Sequence, residues 1–180
     1  MVLHEKGMSF ETHEVDLENK SAEFLAVSPT GKVPVVVVDG DPLYESNVVN
    51  QFLDEVAAEP RLMPEDPKAR AHARIWMAFA DDSFFPAVFI ASVGRERGFS
   101  EERVAEAFEK LDAALAKLEE RLEGREYLAG EFSLADIAHA GNFVRFRDLE
   151  EAGSVSLGGY PNVAAWMRRV GDRKSFGEAA

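Results

Sequence analysis

At 180 residues, 46% of them hydrophobic, the chain can build one domain or two small ones with a real core, and with no cysteine it can form no disulfide, thiolate metal site or cysteine nucleophile. A formal charge of −13 argues against a nucleic-acid backbone as the main partner, because binding one needs a clustered basic surface; acidity of this kind reads as solubility. No apolar run approaches the ~20 residues of a membrane span and Met1 to Gly7 is no signal peptide, so no membrane partner and a cytoplasmic location are expected, with which the lack of cysteine is compatible.

Val2 to Gly7 reads as the final turn of a helix, with His4 and Lys6 suited to its C-terminal dipole and Gly7 as a left-handed stop. Phe10 to Leu17 alternates as a short strand, and a short polar helix is expected around Ser21 to Val27. Ser28-Pro29-Thr30-Gly31-Lys32-Val33-Pro34 then leads into a β-branched run, and Val33 to Val38 is predicted to be a buried strand. Asp39-Gly40-Asp41 is turn chemistry, Leu43-Tyr44 starts a returning strand, and that strand runs straight into a helix. Val48, Val49, Phe52, Leu53 and Val56 fall on one face of this helix; Asn47, Asn50, Gln51, Asp54 and Glu55 fall on the other. Ser46 therefore stands near a helix N-terminus, where unpaired N–H groups favour a bound carboxylate.

The stretch from Ala57 to Pro67, dotted with Pro60 and Pro64, reads as a linker, and everything after it reads as helical. Asp66-Pro67 starts a helix that runs through Ile75, Trp76 and Phe79 toward Val93, with Pro86 expected to kink it and Gly94 and Gly98 bracketing its stop. A second long helix starts at Ser100, buries Val104, Phe108, Leu111, Leu115, Leu118 and Leu122, and ends at Gly124. Ser133 with Asp136 forms a capping box, with Phe132 placed to staple against Ile137; both polar residues read as structural rather than catalytic. A last helix begins at Pro161 and buries Val163, Trp166, Met167 and Val170. The predicted layout is α+β: a mixed unit over residues 1–57, a linker over 58–66 and an all-α unit over 67–180.

Four stretches in this order resemble the cytosolic glutathione transferase family: Ser28 to Pro34, Leu43-Tyr44-Glu45-Ser46, Tyr127 through Asp136, and Tyr160-Pro161-Asn162 with Trp166. The resemblance implies a thioredoxin-like first domain that binds glutathione as co-substrate, followed by the family's all-α C-terminal domain. Pro34 would be the cis-proline that lets Val33 present its backbone to an extended peptide. Glu45 would bind the γ-glutamyl ammonium and Ser46, at the helix start, its carboxylate, while Lys32 would pair with a carboxylate or contact the glycyl end. Taken alone, Pro34 also fits an ordinary proline at a strand start, and Lys32 a solvated turn lysine.

The family places a strand and most of a helix ahead of the Val2 to Gly7 turn, and its catalytic Ser, Tyr or Cys follows that strand. No residue of this sequence matches that position, so the catalytic residue is unassigned. A start codon set too far downstream, a truncated chain, or a sheet completed by a partner would each explain the difference; the first predicts roughly 15 to 25 further residues, one strand plus most of a helix. The principal reading is a glutathione transferase that, in complete form, conjugates glutathione to a hydrophobic small-molecule electrophile and forms a homodimer. A non-catalytic regulator resembling the stringent starvation protein, whose features overlap at Ala73-Arg74-Ile75-Trp76, and a glutathione-dependent thiol reductase are the alternatives. His4, His13, His72 and His139 are scattered, and no metal site is expected. The aromatic run through Phe79, Phe84, Phe85 and Phe89 reads as core, with part of it suited to an apolar pocket, and Arg145-Phe146-Arg147 as a solvated helix face whose arginines could reach an acidic co-substrate.

Overall fold

The computed structural model describes residues 1–57 and 59–179. Ala58, where the expected linker begins, and Ala180 lie outside the described residues. The chain divides into two compact units, Val2–Arg61 and Leu62–Ala180, the second taking in Met1. An α/β unit followed by an all-α unit is the predicted fold class.

In the first unit, α1 (Val2–Glu5) is a single turn that Gly7 ends at φ +61°, a conformation open to glycine without a Cβ clash. The helix α2 (Ala22–Val27) starts at Ser21, whose Oγ accepts from the Phe24 N–H at 3.2 Å. The strands β1 (Val35–Val38) and β2 (Asp41–Tyr44) pair antiparallel, with Val35 opposite Tyr44 and Val38 opposite Asp41. Asp39 and Gly40 join them at φ +51° and +86°, the two positive values of a type I′ turn, whose twist matches that of the strands.

Two strand expectations are corrected. Phe10 to Leu17 forms no strand: the sheet among the described residues has only β1 and β2, so this extended stretch has no neighbour to ladder with. The valine run is half-exposed rather than buried, with Val37 at 52%, because a two-stranded sheet leaves one edge and much of a face open.

The helix α3 (Ser46–Val56) departs from its predicted faces too. Val49 and Leu53 are buried, but Val48 and Val56 are more than half exposed, and Asp54, assigned to the polar face, is buried. Lys6 explains Asp54: its ammonium lies 2.5 Å from Asp54 Oδ1 and donates to the carbonyls of Ala57 at 2.7 Å and Pro60 at 2.6 Å. A buried charge survives only when it is paired and hydrogen-bonded, and this one also neutralises the negative end of α3.

The second unit begins ahead of Pro67. Leu62 and Met63 are buried, and the Leu62 carbonyl accepts from the Leu134 N–H at 2.9 Å. The helix α4 (Pro67–Phe79) is capped by Asp66, continues through a π-helical turn (Ala80–Phe84), and becomes α5 (Phe85–Val93). Where a kink was expected at Pro86, the wider π-turn just before it takes up the proline's missing N–H and its bulk. The continuous Pro67–Val93 helix is long and apolar enough by length and composition to cross a membrane, with an 18-residue window of mean hydropathy 1.2, which the sequence reading overlooked. Its Ala73, Met77, Ala80, Phe84, Ala87 and Val88 are core residues of the helical unit.

The long helix α6 (Glu101–Leu122) starts at Ser100 and buries Val104, Leu111, Leu115, Leu118 and Leu122 as predicted, with Phe108 only half-buried. Full burial of one such leucine contributes about 1.5–3 kcal/mol. The unit is completed by α7 (Leu134–Ala140), α8 (Phe143–Glu151), α9 (Pro161–Gly171) and α10 (Lys174–Gly177). Met167, expected in the core, is half-buried, and Phe146, expected on a solvated face, is fully buried between exposed Arg145 and Arg147. Of the aromatic run, only Phe84 is fully buried; Phe79 and Phe89 are half-buried and Phe85 is exposed.

Candidate functional site

The predicted site residues of the first unit come together at the open end of its hairpin. The turn before β1 is built by Ser28, which is buried: its carbonyl accepts from the Gly31 N–H at 2.9 Å, and its hydroxyl donates to the Lys32 carbonyl at 2.9 Å. Gly31 sits at φ +61°, so the Ser28 to Lys32 turn depends on glycine there. These bonds fix the backbone of Lys32 while leaving Lys32, Val33 and Pro34 exposed. The Val33–Pro34 bond is cis.

The ladder register relates the two halves. Val35 pairs with Tyr44 at the last rung of the ladder, so Val33 and Pro34 lie just ahead of that rung on one side and Glu45 and Ser46 just past it on the other. Glu45, between Tyr44 and Ser46, is the N-cap of α3, and its carbonyl accepts from Val48 at 2.9 Å and Val49 at 3.0 Å. Its own φ is +67° with ψ 106°, a conformation that an L side chain rarely adopts, and its side chain makes no capping hydrogen bond. An exposed acid thus stands directly ahead of a helix N-terminus, with Ser46 as the first helical residue. Sequence reasoning placed Glu45 and Ser46 but missed the backbone of Glu45 and the buried hydroxyl of Ser28; the serine's position three residues ahead of Gly31 is the signal that could have found it.

The other two motif stretches lie in the second unit, where their polar groups build structure. Asp136 is fully buried and takes four hydrogen bonds: from the N–H of Leu128 at 3.0 Å and of Ser133 at 2.9 Å, the Ser133 hydroxyl at 3.1 Å and Trp166 Nε1 at 2.8 Å. Burial pushes its carboxyl above the usual carboxylate range, against the pull of these donors. Ser133 and Asp136 form the predicted capping box. Phe132 packs edge-on against Tyr127, beneath the guanidinium of Arg173. The start of α9 is capped from a distance: Glu119 accepts from the Asn162 and Val163 N–H groups at 3.0 and 2.9 Å. Tyr160 donates to Asp112 Oδ1 at 2.6 Å, which helps push its phenol up to about 12.

His139, expected only as one of four scattered histidines, is fully buried. Its Nδ1 lies 2.9 Å from the Ala135 carbonyl, so Nδ1 carries the proton and Nε2 is a buried acceptor without a partner. Phe79, Phe84 and Trp166 surround the ring, and burial lowers its pKa to about 4.

Comparison with known proteins covers both units. The family model described as "Glutathione S-transferase, N-terminal domain" matches residues 1–56, and that described as "Glutathione S-transferase, C-terminal domain" matches residues 101–169. Glutathione S-transferase U19 from Arabidopsis thaliana is 32% identical over 183 residues, covering 99% of this chain and 81% of the relative. The crystal structure of rice GST1 in complex with glutathione is similar at TM-score 0.86 and 31% identity, over 98% of this chain and 81% of that one. Beta-etherase LigF from Sphingobium matches at TM-score 0.85 and 29% identity, over 98% of this chain and 90% of the other. The chain belongs to the glutathione S-transferase family.

Proposed function

We propose that the chain binds glutathione at the open end of the hairpin, and that a chain carrying the family's first strand uses that site to conjugate the glutathione thiol to a hydrophobic electrophile. Val33 offers its backbone N–H and C=O to the cysteinyl portion, as a strand edge does to a peptide. The γ-glutamyl carboxylate goes to the start of α3 and the Ser46 hydroxyl, its ammonium to Glu45, and the glycyl carboxylate to Lys32. The observation that carries this reading is Glu45 at φ +67° immediately before the first turn of α3. A γ-glutamyl group bears a cation and an anion on one carbon, and an acid adjoining a helix N-terminus offers the complement of both. A backbone of that kind costs about 1–3 kcal/mol, and such strain clusters at ligand sites.

In conjugation the thiolate sulfur forms a bond to the electrophilic carbon, the leaving group departs with the electron pair of the broken bond, and the thiol proton passes to solvent. The same reading makes the protein a cytoplasmic homodimer, and a monomeric mass by light scattering would count against that. Retention on immobilised glutathione tests the binding claim. The chain should be retained, and the Glu45→Ala, Ser46→Ala double variant should pass through; failure of the unaltered chain to bind at millimolar glutathione would favour a non-catalytic role.

A further inference from the structure

Between α8 and α9 the helical unit holds a groove of about 510 Å³ that the glutathione reading does not use. Small-molecule sites span roughly 300–1,000 Å³, so the space suits a ligand of modest size. Phe143 gives the groove a fixed floor: it is buried, its ring meets that of Trp166 edge-on at 5.2 Å, and it lies 6.2 Å from the ring of Phe176. Half-buried Leu157 and Met167 add to the apolar lining. Gly171, the last residue of α9, also lines the groove, and a Cβ there would meet nothing within 4 Å.

Four exposed charged residues border this floor: Arg147 and Glu150 from α8, Arg168 from α9, and Asp172 as the C-cap of α9. None of the four has an ion pair or a side-chain hydrogen bond among the described residues. Each arginine nonetheless has an acid three or four residues further along, the spacing at which helical neighbours meet. Both pairs run from base to acid, the weaker orientation on a helix, and both stay open. Each acid also stands at the C-terminal end of its helix, where the backbone dipole favours a cation over a carboxylate. The groove therefore presents unpaired charge of both signs around an apolar floor.

We propose that this groove binds a short peptide with free termini and apolar side chains. The peptide carboxylate accepts N–H donors from Arg147 or Arg168. Its ammonium donates to Glu150 or Asp172, which supplies the cation that the helix end lacks. Its side chains cover Phe143, Leu157 and Met167. A ligand with one charge would leave the groups of the other sign unmatched, and an uncharged one would desolvate both without compensation. The groove lies wholly within the helical unit, so it stands whether or not the hairpin binds glutathione.

Calorimetric titration of the full chain at low salt with leucyl-leucine, with its N-acetyl form and with its C-terminal amide tests the site. Each blocked peptide should bind about fivefold more weakly than the free one, the size expected of one exposed charge contact. The Arg147→Gln, Arg168→Gln double variant should stop distinguishing the amide from the free peptide and still distinguish the acetylated one. The Glu150→Gln, Asp172→Asn double variant should do the reverse. Gly171→Leu places a side chain at the groove without altering any charge and should weaken all three ligands. The Glu45→Ala, Ser46→Ala double variant should bind leucyl-leucine as the unaltered chain does, which separates this groove from the hairpin. Equal affinity for the three peptides, binding of none, discrimination that survives both charge variants, or binding lost with Glu45 and Ser46 would overturn the proposal.

Discussion

The Lys6 ammonium lies 2.5 Å from an Asp54 carboxylate oxygen, and both side chains are buried. Forty-eight residues apart in sequence, they tie the turn after α1 to the last turn of α3. Lys6 also holds the carbonyls of Ala57 and Pro60, so a single side chain finishes the helix whose opposite end carries Glu45 and Ser46.

Removing one partner leaves the other charge buried and uncompensated. Lys6→Met or Asp54→Leu alone should therefore lose about 3–5 kcal/mol of stability in urea denaturation. The double variant should recover only part of that, because the Ala57 and Pro60 carbonyls still lack their donor.

Asp136 is the corresponding point in the helical unit. Asp136→Ala leaves the N–H groups of Leu128 and Ser133 and Trp166 Nε1 buried without an acceptor. At about 1–3 kcal/mol for each stranded group, the loss should exceed about 3 kcal/mol. Trp166→Phe removes the donor together with its bond and should cost less, a difference that thermal denaturation of the two variants would read directly.

His139 gives stability a pH dependence of known sign. Its folded pKa of about 4 lies below the ordinary 6.5, so between those values the unfolded chain binds the extra proton. Its contribution is complete above pH 6.5 and is lost as pH falls toward 4, a change of about 3 kcal/mol. Asp136 works in the opposite direction, since its raised pKa favours the folded state as pH falls toward the usual carboxylate value. Comparing denaturation midpoints at pH 7 and pH 5 isolates the histidine: His139→Leu should flatten the decline.

Glu45 separates stability from binding. Glu45→Gly removes the Cβ that makes φ +67° costly, so the variant should be as stable as the parent or gain up to about 1 kcal/mol. It also removes the carboxylate, so retention on glutathione should fall. A stable variant that binds unchanged would take Glu45 out of the site.

Local chemistry made much of this legible. Ser133 caps α7 as its spacing to Asp136 predicts, and Ser21, Asp66 and Ser100 cap helices that were expected to start at those places, because a cap is a bond to the next turn. Asp39-Gly40 announced the hairpin turn, whose last rung pairs Val35 with Tyr44. What failed depended on partners remote in sequence. Phe10 to Leu17 alternates correctly for a strand, but alternation does not supply a neighbouring strand. Asp54 looked solvated because its partner is Lys6, and Phe146, read with its two exposed arginine neighbours as part of a solvated face, is fully buried. The bonds that cross between helices, the Glu119 cap on α9 and the Trp166 indole N–H donated to Asp136, were invisible for the same reason.

The most direct test of the hairpin as a glutathione site is calorimetric titration of the full chain with glutathione and with cysteinylglycine, which lacks the γ-glutamyl group. Glutathione should bind at least tenfold more tightly, and the Glu45→Ala, Ser46→Ala double variant should bring the two ligands to equal, weak affinity. Equal affinity in the unaltered chain, or a glutathione preference that persists in the double variant, would contradict it.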